Sequence, residues 1–242
     1  MELKGLKVLA IDTASIVATA AIMDQHKLLG ECILNHDKTH SQKMMPMIQQ
    51  LFKSTELTPK DIDVFAASNG PGSFTGLRIG VATIKGFAHA LNKPVVGIST
   101  LDGLAYNLAF CNHTICPIMD ARREQVYNAV YRWENDKLHR LTPHRALSIE
   151  ALVDELMQTE QKVIFTGDGV PVFYEYLKEK LQKQCDFAPI AMRMQRASSI
   201  AALAMQKALV GEVEGYMTFS PFYLRKSQAE REYEKKLKAL TE

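Results

Sequence analysis

The sequence predicts an α/β protein built from two similar units, each a mixed sheet flanked by helices, and three observations predict it. An order of three strands, helix, strand, helix and strand fills the first hundred or so residues and reopens near residue 114, at a separation of about 100 residues. In each half the first strand ends on an aspartate ahead of a hairpin, at Asp12 and at Asp120. Each half then carries a later apolar strand that runs into glycines, Val64 to Gly70 and Val163 to Gly169, which sets Gly169 opposite Gly70. The expected division is a first unit over 1–104, a second over 105–222, and a charged, helical tail over 223–242.

The first strand is the buried run Lys7 to Ile11, ending in the polar turn Asp12-Thr13-Ala14-Ser15. Strands Val17 to Met23 and Lys27 to Leu34 flank the turn Asp24-Gln25-His26 and extend the first strand antiparallel to it. Ser41 suits a helix N-cap, and Met44, Met45, Met47, Ile48, Leu51 and Phe52 follow at helical spacing up to Lys53, with Pro46 tolerated close to the helix start. Strand four, Val64 to Ala67, turns through Gly70, Pro71, Gly72 and Gly76 into a small-residue helix reaching Leu91, and Pro94 to Ile98 is the fifth strand. In the second half, Ile115 to Asp120 matches the first strand, and Gln125 to Tyr131 leads to Lys137-Leu138 much as the second strand leads to Lys27-Leu28. Helices are expected over Leu147 to Thr159, Val172 to Gln184 and Ala197 to Leu209, and a solvated one over Lys226 to Leu240.

Composition narrows the function. With 47% apolar and 23% charged residues the 242-residue chain has a soluble globular make-up, and a net charge of +2 excludes nucleic-acid binding by a dominant basic field. Cys32, Cys111, Cys116 and Cys185 show no CxxC spacing, so reduced thiols in a cytoplasmic protein are expected rather than a disulfide framework or a zinc ribbon. The apolar run Val8 to Met23 is interrupted by Asp12 and reads neither as a signal peptide nor as a membrane span.

The glycine turn resembles a phosphate cradle but fits neither phosphate fingerprint. Gly76 is followed by Leu77 and Arg78 where a Walker A loop needs Lys and Ser or Thr, and the Gly72 to Gly76 spacing is one residue too long for the dinucleotide pattern. The glycines are therefore expected to make a tight strand-to-helix turn, while Gly80, Ala82, Gly86 and Ala90 allow close helix packing, within the protein or across an interface. Two readings of Asp12 and Asp120 stay open. In a duplicated fold of the actin, Hsp70 and sugar-kinase (ASKHA) type, Asp12 with Thr13 and Ser15 would form a nucleotide phosphate loop; otherwise each aspartate satisfies amides of its own turn. The Asp120, Arg122 and Arg123 cluster could clamp an anion or pair internally. His36 and His40 have no third ligand at usable spacing, so no metal site is expected, and no hydrolase motif appears.

Several stretches together resemble the TsaB family, also called YeaZ: Leu9 to Ser15, His40-Ser41-Gln42 with Pro46-Met47-Ile48, Gly70 to Gly80, Gly97 to Leu101, Asp120 to Arg123 with Val126-Tyr127, and Tyr223 to Lys226. The resemblance implies a cytoplasmic bacterial component of the machinery making N6-threonylcarbamoyladenosine at position 37, next to the anticodon, of tRNAs reading codons that begin with A. It further implies a non-catalytic scaffold that binds the paralogous transferase TsaD, with the ATPase TsaE, forms a homodimer when alone, meets tRNA only through the complex, and holds no cofactor of its own, with ATP or ADP placed at the complex interface. TsaD-like enzymes carry a His-x-x-x-His metal pair whose two positions fall here on Thr100 and Leu104, and leucine cannot coordinate a metal. The implied partner and dimer surface uses two helices, with Met44, Met47, Ile48 and Leu51 on the first and Arg78, Ala82, Gly86 and Ala90 on the second. The alternatives are an ATP-dependent small-molecule kinase of the same fold, anchored on Asp12, and a peptidase-like protein.

Overall fold

The computed structural model describes residues 5–36, 40–159 and 161–225. Strands β1 (Lys7–Asp12), β2 (Ala18–Asp24) and β3 (Leu28–Leu34) lead through α1 (His40–Thr55) to β4 (Val64–Gly70), α2 (Phe74–Leu91), β5 (Val95–Ser99) and α3 (Thr100–Tyr106). The second half runs β6 (Thr114–Asp120), β7 (Gln125–Asn128), β8 (Tyr131–Glu134), β9 (Lys137–Arg140), β10 (Arg145–Ser148), α4 (Ile149–Met157), β11 (Val163–Thr166), α5 (Val170–Leu181), β12 (Cys185–Phe187), α6 (Ile190–Arg193) and α7 (Ala197–Leu209).

The duplication is explicit in the topology. The first sheet has the order β3-β2-β1-β4-β5 and the second β10-β7-β6-β11-β12. In both, the first strand pairs antiparallel with the hairpin on one side and parallel with the later strands on the other. This is the two-sheet α/β architecture expected from the repeat. The predicted single strand Gln125 to Tyr131 breaks at Ala129-Val130 into β7 and β8, both on the same side of β6. A two-residue turn, whose Asn135 and Asp136 both have positive φ, joins β8 to its returning partner, which is broken likewise into β9 and β10. Leu147 therefore belongs to a strand, and the helix starts at Ile149, capped by the Ser148 hydroxyl.

Both faces of the first sheet are covered. Leu9, Ile11 and Phe65 point to the side of α1 and α2, whereas Val8, Ala10, Val64 and Ala66 meet Ile200, Ala201 and Ala204 of α7. A boundary at 104/105 thus cuts α3, and the expected assignment of 105–222 to the second unit is corrected. The chain returns to the first unit at α7, Glu214 bridges Val95 in an antiparallel pair, and Phe219 is buried in the first core. A repeat in sequence need not be contiguous in space, and a single sheet needs a helix on each face to bury two apolar surfaces. The second sheet packs α4 and α5 on one side through Leu152, Val153, Phe173 and Leu177. Its other side meets α3, where Leu101, Leu104 and Ala105 join Ile115, Met119 and Tyr131.

The helix expected from Ser41 starts at His40, so Pro46 lies seven residues in, where its missing N–H falls on an exposed side of the helix. Met44, Met47, Ile48 and Leu51, expected at a partner interface, are 1%, 4%, 0% and 5% exposed and belong to the first core. Their spacing is the core-facing stripe of an amphipathic helix, and of the predicted methionines only Met45 faces outward. The charged segment Lys226 to Leu240 lies outside the described residues. Among the described residues the cysteines are free, and no helix is long and apolar enough to cross a membrane.

Candidate functional site between the two units

The glycine turn is packed against the first hairpin. A Cβ at Gly72 would collide with the Ala14 carbonyl, one at Gly76 with the Thr13 carbonyl, and one at Gly80 with the Thr13 hydroxyl. Only the absence of side chains lets the start of α2 come this close, and hydrogen bonds hold it there: Ser73 N–H donates to the Ala14 carbonyl at 2.7 Å and the Thr13 hydroxyl donates to the Gly76 carbonyl at 2.7 Å. Gly70, at a φ of +130°, sits under the Phe222 carbonyl and is joined to the following Pro71 by a cis bond. In the second unit Gly167, which follows β11, also has a positive φ, +100°.

The same hairpin carries Asp12, Thr13 and Ser15, each of whose side chains has a partner within the chain. Asp12 Oδ1 accepts the Ala14 N–H at 2.8 Å, and the Ser15 hydroxyl donates to Gln195 Oε1 at 2.6 Å. With Thr13 engaged by Gly76, the polar groups expected to face a phosphate are turned onto the protein itself. Asp120 repeats the device, its Oδ1 accepting the Arg122 N–H at 2.8 Å. Both aspartates therefore satisfy amides of their own turns. Burial, opposed by the Ala14 amide, pushes the Asp12 carboxyl up to about 6.

Between the units lies an open cleft of about 740 Å³, a size that suits a small ligand. The first unit contributes Ala14, Ser15, His40 and the glycine turn, and the second Met119, Asp120, Arg122, Asp168 and Val172. Arg122 heads three consecutive residues with positive φ, Arg122, Arg123 and Glu124, and its guanidinium pairs with Asp120 Oδ2 at 3.2 Å. Arg123 is exposed and takes no part in the cleft wall. Asp168, set by the Gly167-Asp168-Gly169 turn after β11, faces the cleft with its Oδ1 buried and unpartnered in the described structure. The sequence reading missed it, although an aspartate between glycines at the end of a repeated strand was a usable signal.

The segment after Phe219 straps the cleft mouth. Phe222 N–H donates to the Asn69 carbonyl at 2.6 Å, Tyr223 stacks on Phe74 at 4.5 Å, and Arg225 donates to the Ala121 carbonyl at 2.8 Å, which ties the two units together. Arg78, expected at a partner interface, lies over the Phe74 ring at 4.0 Å and donates to the Tyr223 hydroxyl. Its surface is exposed, but its charge is engaged within the chain. Further along the same helix Ala82, Gly86 and Ala90 are exposed, with open space beside Gly86 and the 79%-exposed Met217 nearby.

Two other arrangements bear on the alternatives. Ser99, His144 and Asp102 lie within hydrogen-bonding distance, at 3.2 and 2.9 Å, but both contacts fall on the same ring nitrogen, Nε2. A hydrolytic triad needs the serine on one nitrogen and the carboxylate on the other, so this group is a structural link between the units, joined by Tyr131 at 2.7 Å from Asp102. Thr100 and Leu104 are both buried, Leu104 within the core between the units. Among the described residues no group of three His, Cys, Asp or Glu side chains is placed to hold a metal ion.

A model of the family described as TsaD, tRNA N6-adenosine threonylcarbamoyltransferase, matches residues 27–233. The tRNA threonylcarbamoyladenosine biosynthesis protein TsaB of Bacillus subtilis is 30% identical over 94% of this chain and 98% of its own. The protein of the same name from Escherichia coli is 28% identical over 93% and 96%. Among solved structures, YeaZ from Pseudomonas aeruginosa superposes with a TM-score of 0.75 at 22% identity, covering 90% of this chain and all of that one, a likeness of fold.

Proposed function

Because the chain belongs to the TsaB family of tRNA threonylcarbamoyladenosine biosynthesis proteins, we propose that it is the non-catalytic scaffold for threonylcarbamoyl transfer to N6 of the adenosine at position 37, acting in the cytoplasm by binding and stabilising TsaD. The observation that carries this reading is the outer face of α2, where Ala82, Gly86 and Ala90 are exposed and a Cβ at Gly86 would meet nothing within 4 Å. A helix face without side-chain bulk permits another backbone to approach closely, and a monomer gains nothing from leaving it bare. In this proposal the face serves a homodimer when the chain is alone and the TsaD heterodimer in function. TsaE joins that assembly, tRNA is met through the complex, and any ATP or ADP is held at the complex interface. Two features support a subunit without chemistry of its own: the positions matching the TsaD histidine pair are core residues Thr100 and Leu104, and the polar side chains of the first hairpin are engaged within the chain, Asp12 by Ala14, Thr13 by Gly76 and Ser15 by Gln195.

The test is reconstitution with TsaD, TsaE, threonylcarbamoyl-adenylate and tRNA, with modified adenosine read by mass spectrometry. Modification should be lost without this chain; undiminished modification in its absence refutes the scaffold role. Ala82→Glu, at an exposed position, should leave the fold intact by circular dichroism and abolish the heterodimer on size-exclusion chromatography. An intact complex with that variant would refute the α2 surface.

A further inference from the structure

We propose that the cleft between the units is a binding site for a small organic cation, whose ammonium or amidinium head sits on Asp168 while its apolar body lies against Phe74, Met119, Val172 and Phe222. The geometry starts from the carboxylate. Asp168 Oδ1 is buried at the cleft wall without a hydrogen-bond partner among the described residues, and buried polar atoms in folded proteins are nearly always paired. His40 adds a second such atom to the same wall: its Nε2 donates to the Ser15 carbonyl at 2.6 Å, which leaves Nδ1 buried and unpartnered.

The charges facing the cavity select the ligand. Among the described residues Asp168 has Asp120 and Asp12 as acidic neighbours, and Arg122 as a basic neighbour that offsets them in part. Arg122 is 88% exposed at the rim and paired with Asp120, and Arg225 donates to the Ala121 carbonyl. Among the described residues the remaining titratable groups of the wall are His40, Tyr127 and Tyr223. An anionic head would meet carboxylates here. It would also find the Ala14 amide held by Asp12, the Thr13 hydroxyl by Gly76 and the Ser15 hydroxyl by Gln195. A cation with N–H donors supplies both the charge and the hydrogen bonds that Asp168 lacks, and a buried charge is stable only when so paired. Burial, joined by the charges of Asp120 and Asp12, pushes the Asp168 carboxyl up to about 7. Cation binding should therefore strengthen as that group ionises, by about tenfold between pH 6 and pH 8.

Isothermal titration of the full chain with benzamidinium, neutral benzamide, benzoate and magnesium-ATP tests the proposal. Benzamidinium should bind one to one, at least tenfold tighter than benzamide, with benzoate silent and affinity rising from pH 6 to pH 8. Asp168→Asn should weaken it at least tenfold. The proposal is overturned if benzamidinium fails to bind or is no tighter than benzamide, if its affinity is flat with pH, if Asp168→Asn leaves it unchanged, or if magnesium-ATP binds more tightly and displaces it. Should Asp168→Asn not fold, the charge series and the pH profile of the unaltered chain decide the matter.

Discussion

Replacing Gly76 by alanine sets a local preference against a tertiary contact, and the structure says which wins. Within a helix, glycine to alanine is worth about 0.5–1 kcal/mol of stabilisation through reduced backbone freedom in the unfolded chain. At Gly76 the new methyl would overlap the Thr13 carbonyl oxygen and stand 3.3 Å from Ser73 Cβ. The oxygen is backbone, in a hairpin pinned by the Thr13 to Gly76 and Ser73 to Ala14 hydrogen bonds, so no side chain can swing away. Relief requires α2 to part from the hairpin. Overpacking costs about 1–3 kcal/mol, and weakening two buried hydrogen bonds about 1 kcal/mol each. Against the helical gain, Gly76→Ala should destabilise by about 2–4 kcal/mol. Gly86→Ala is the internal control, since its Cβ meets nothing within 4 Å on the same helix and should stabilise by about 0.5–1 kcal/mol. Urea midpoints and melting temperatures of the two variants check this, and for a chain of this size the pair should melt on the order of 10 °C apart. A Gly76→Ala protein as stable as the parent would show that the turn does not depend on contact with the hairpin.

The core position of the α1 methionine face predicts that Ile48→Ala costs about 2–5 kcal/mol in urea unfolding, while Met45→Ala, on the outer side, stays within about 0.5 kcal/mol; equal effects would restore that face to the surface. Asp12 predicts a pH signature. Its folded carboxyl, at about 6, lies above its unfolded value near 3.9, so the stability owed to its proton is complete below pH 4 and is lost as pH rises through 6. Asn at this position can still accept the Ala14 N–H without a charge to bury. Asp12→Asn should therefore gain on the parent between pH 4 and pH 7.5 by on the order of 2–3 kcal/mol, measured by urea unfolding across that range, and a gap constant with pH would contradict it.

Period and punctuation made most of the fold legible. The end of α2 at Leu91 and the bounds of α7 at Ala197 and Leu209 fall where the sequence placed them, and the repeat of strand order anticipates the two matching sheets. What the sequence could not convey is which surface each stripe faces. A methionine face at i, i+3, i+4 looks the same whether it meets a partner or its own sheet, and here the sheet claims it. Nor does chain order reveal that α7 closes the first unit, because the run Ala197 to Leu209 fits any apolar face of the right width. Within the site, Asp12 and Asp120 were visible as strand-ending acids, whereas the cleft role of Asp168 depends on Gly167 and Gly169 bringing β11 against the Ile118 carbonyl.

The same pair of glycine turns explains why two copies of one unit present different surfaces to the cleft. In the second copy the turn rests on Ile118, two residues ahead of Asp120, and Gly169 N–H donates to that carbonyl at 3.0 Å. The turn thus seats on the strand itself, and the residues beyond Asp120, together with Asp168, line the cavity. In the first copy the turn rests on Thr13 and Ala14, beyond Asp12, so it lies over the hairpin and engages the Thr13 hydroxyl and the Ala14 carbonyl. Three glycines, at 72, 76 and 80, make that closer seat possible, each where a Cβ would strike the hairpin. A shift of contact by a few residues along the first strand therefore separates a sealed hairpin from an open one. It also leaves α2 anchored at its start and bare along Ala82, Gly86 and Ala90, so the residues that close the first hairpin hold that outer face in place.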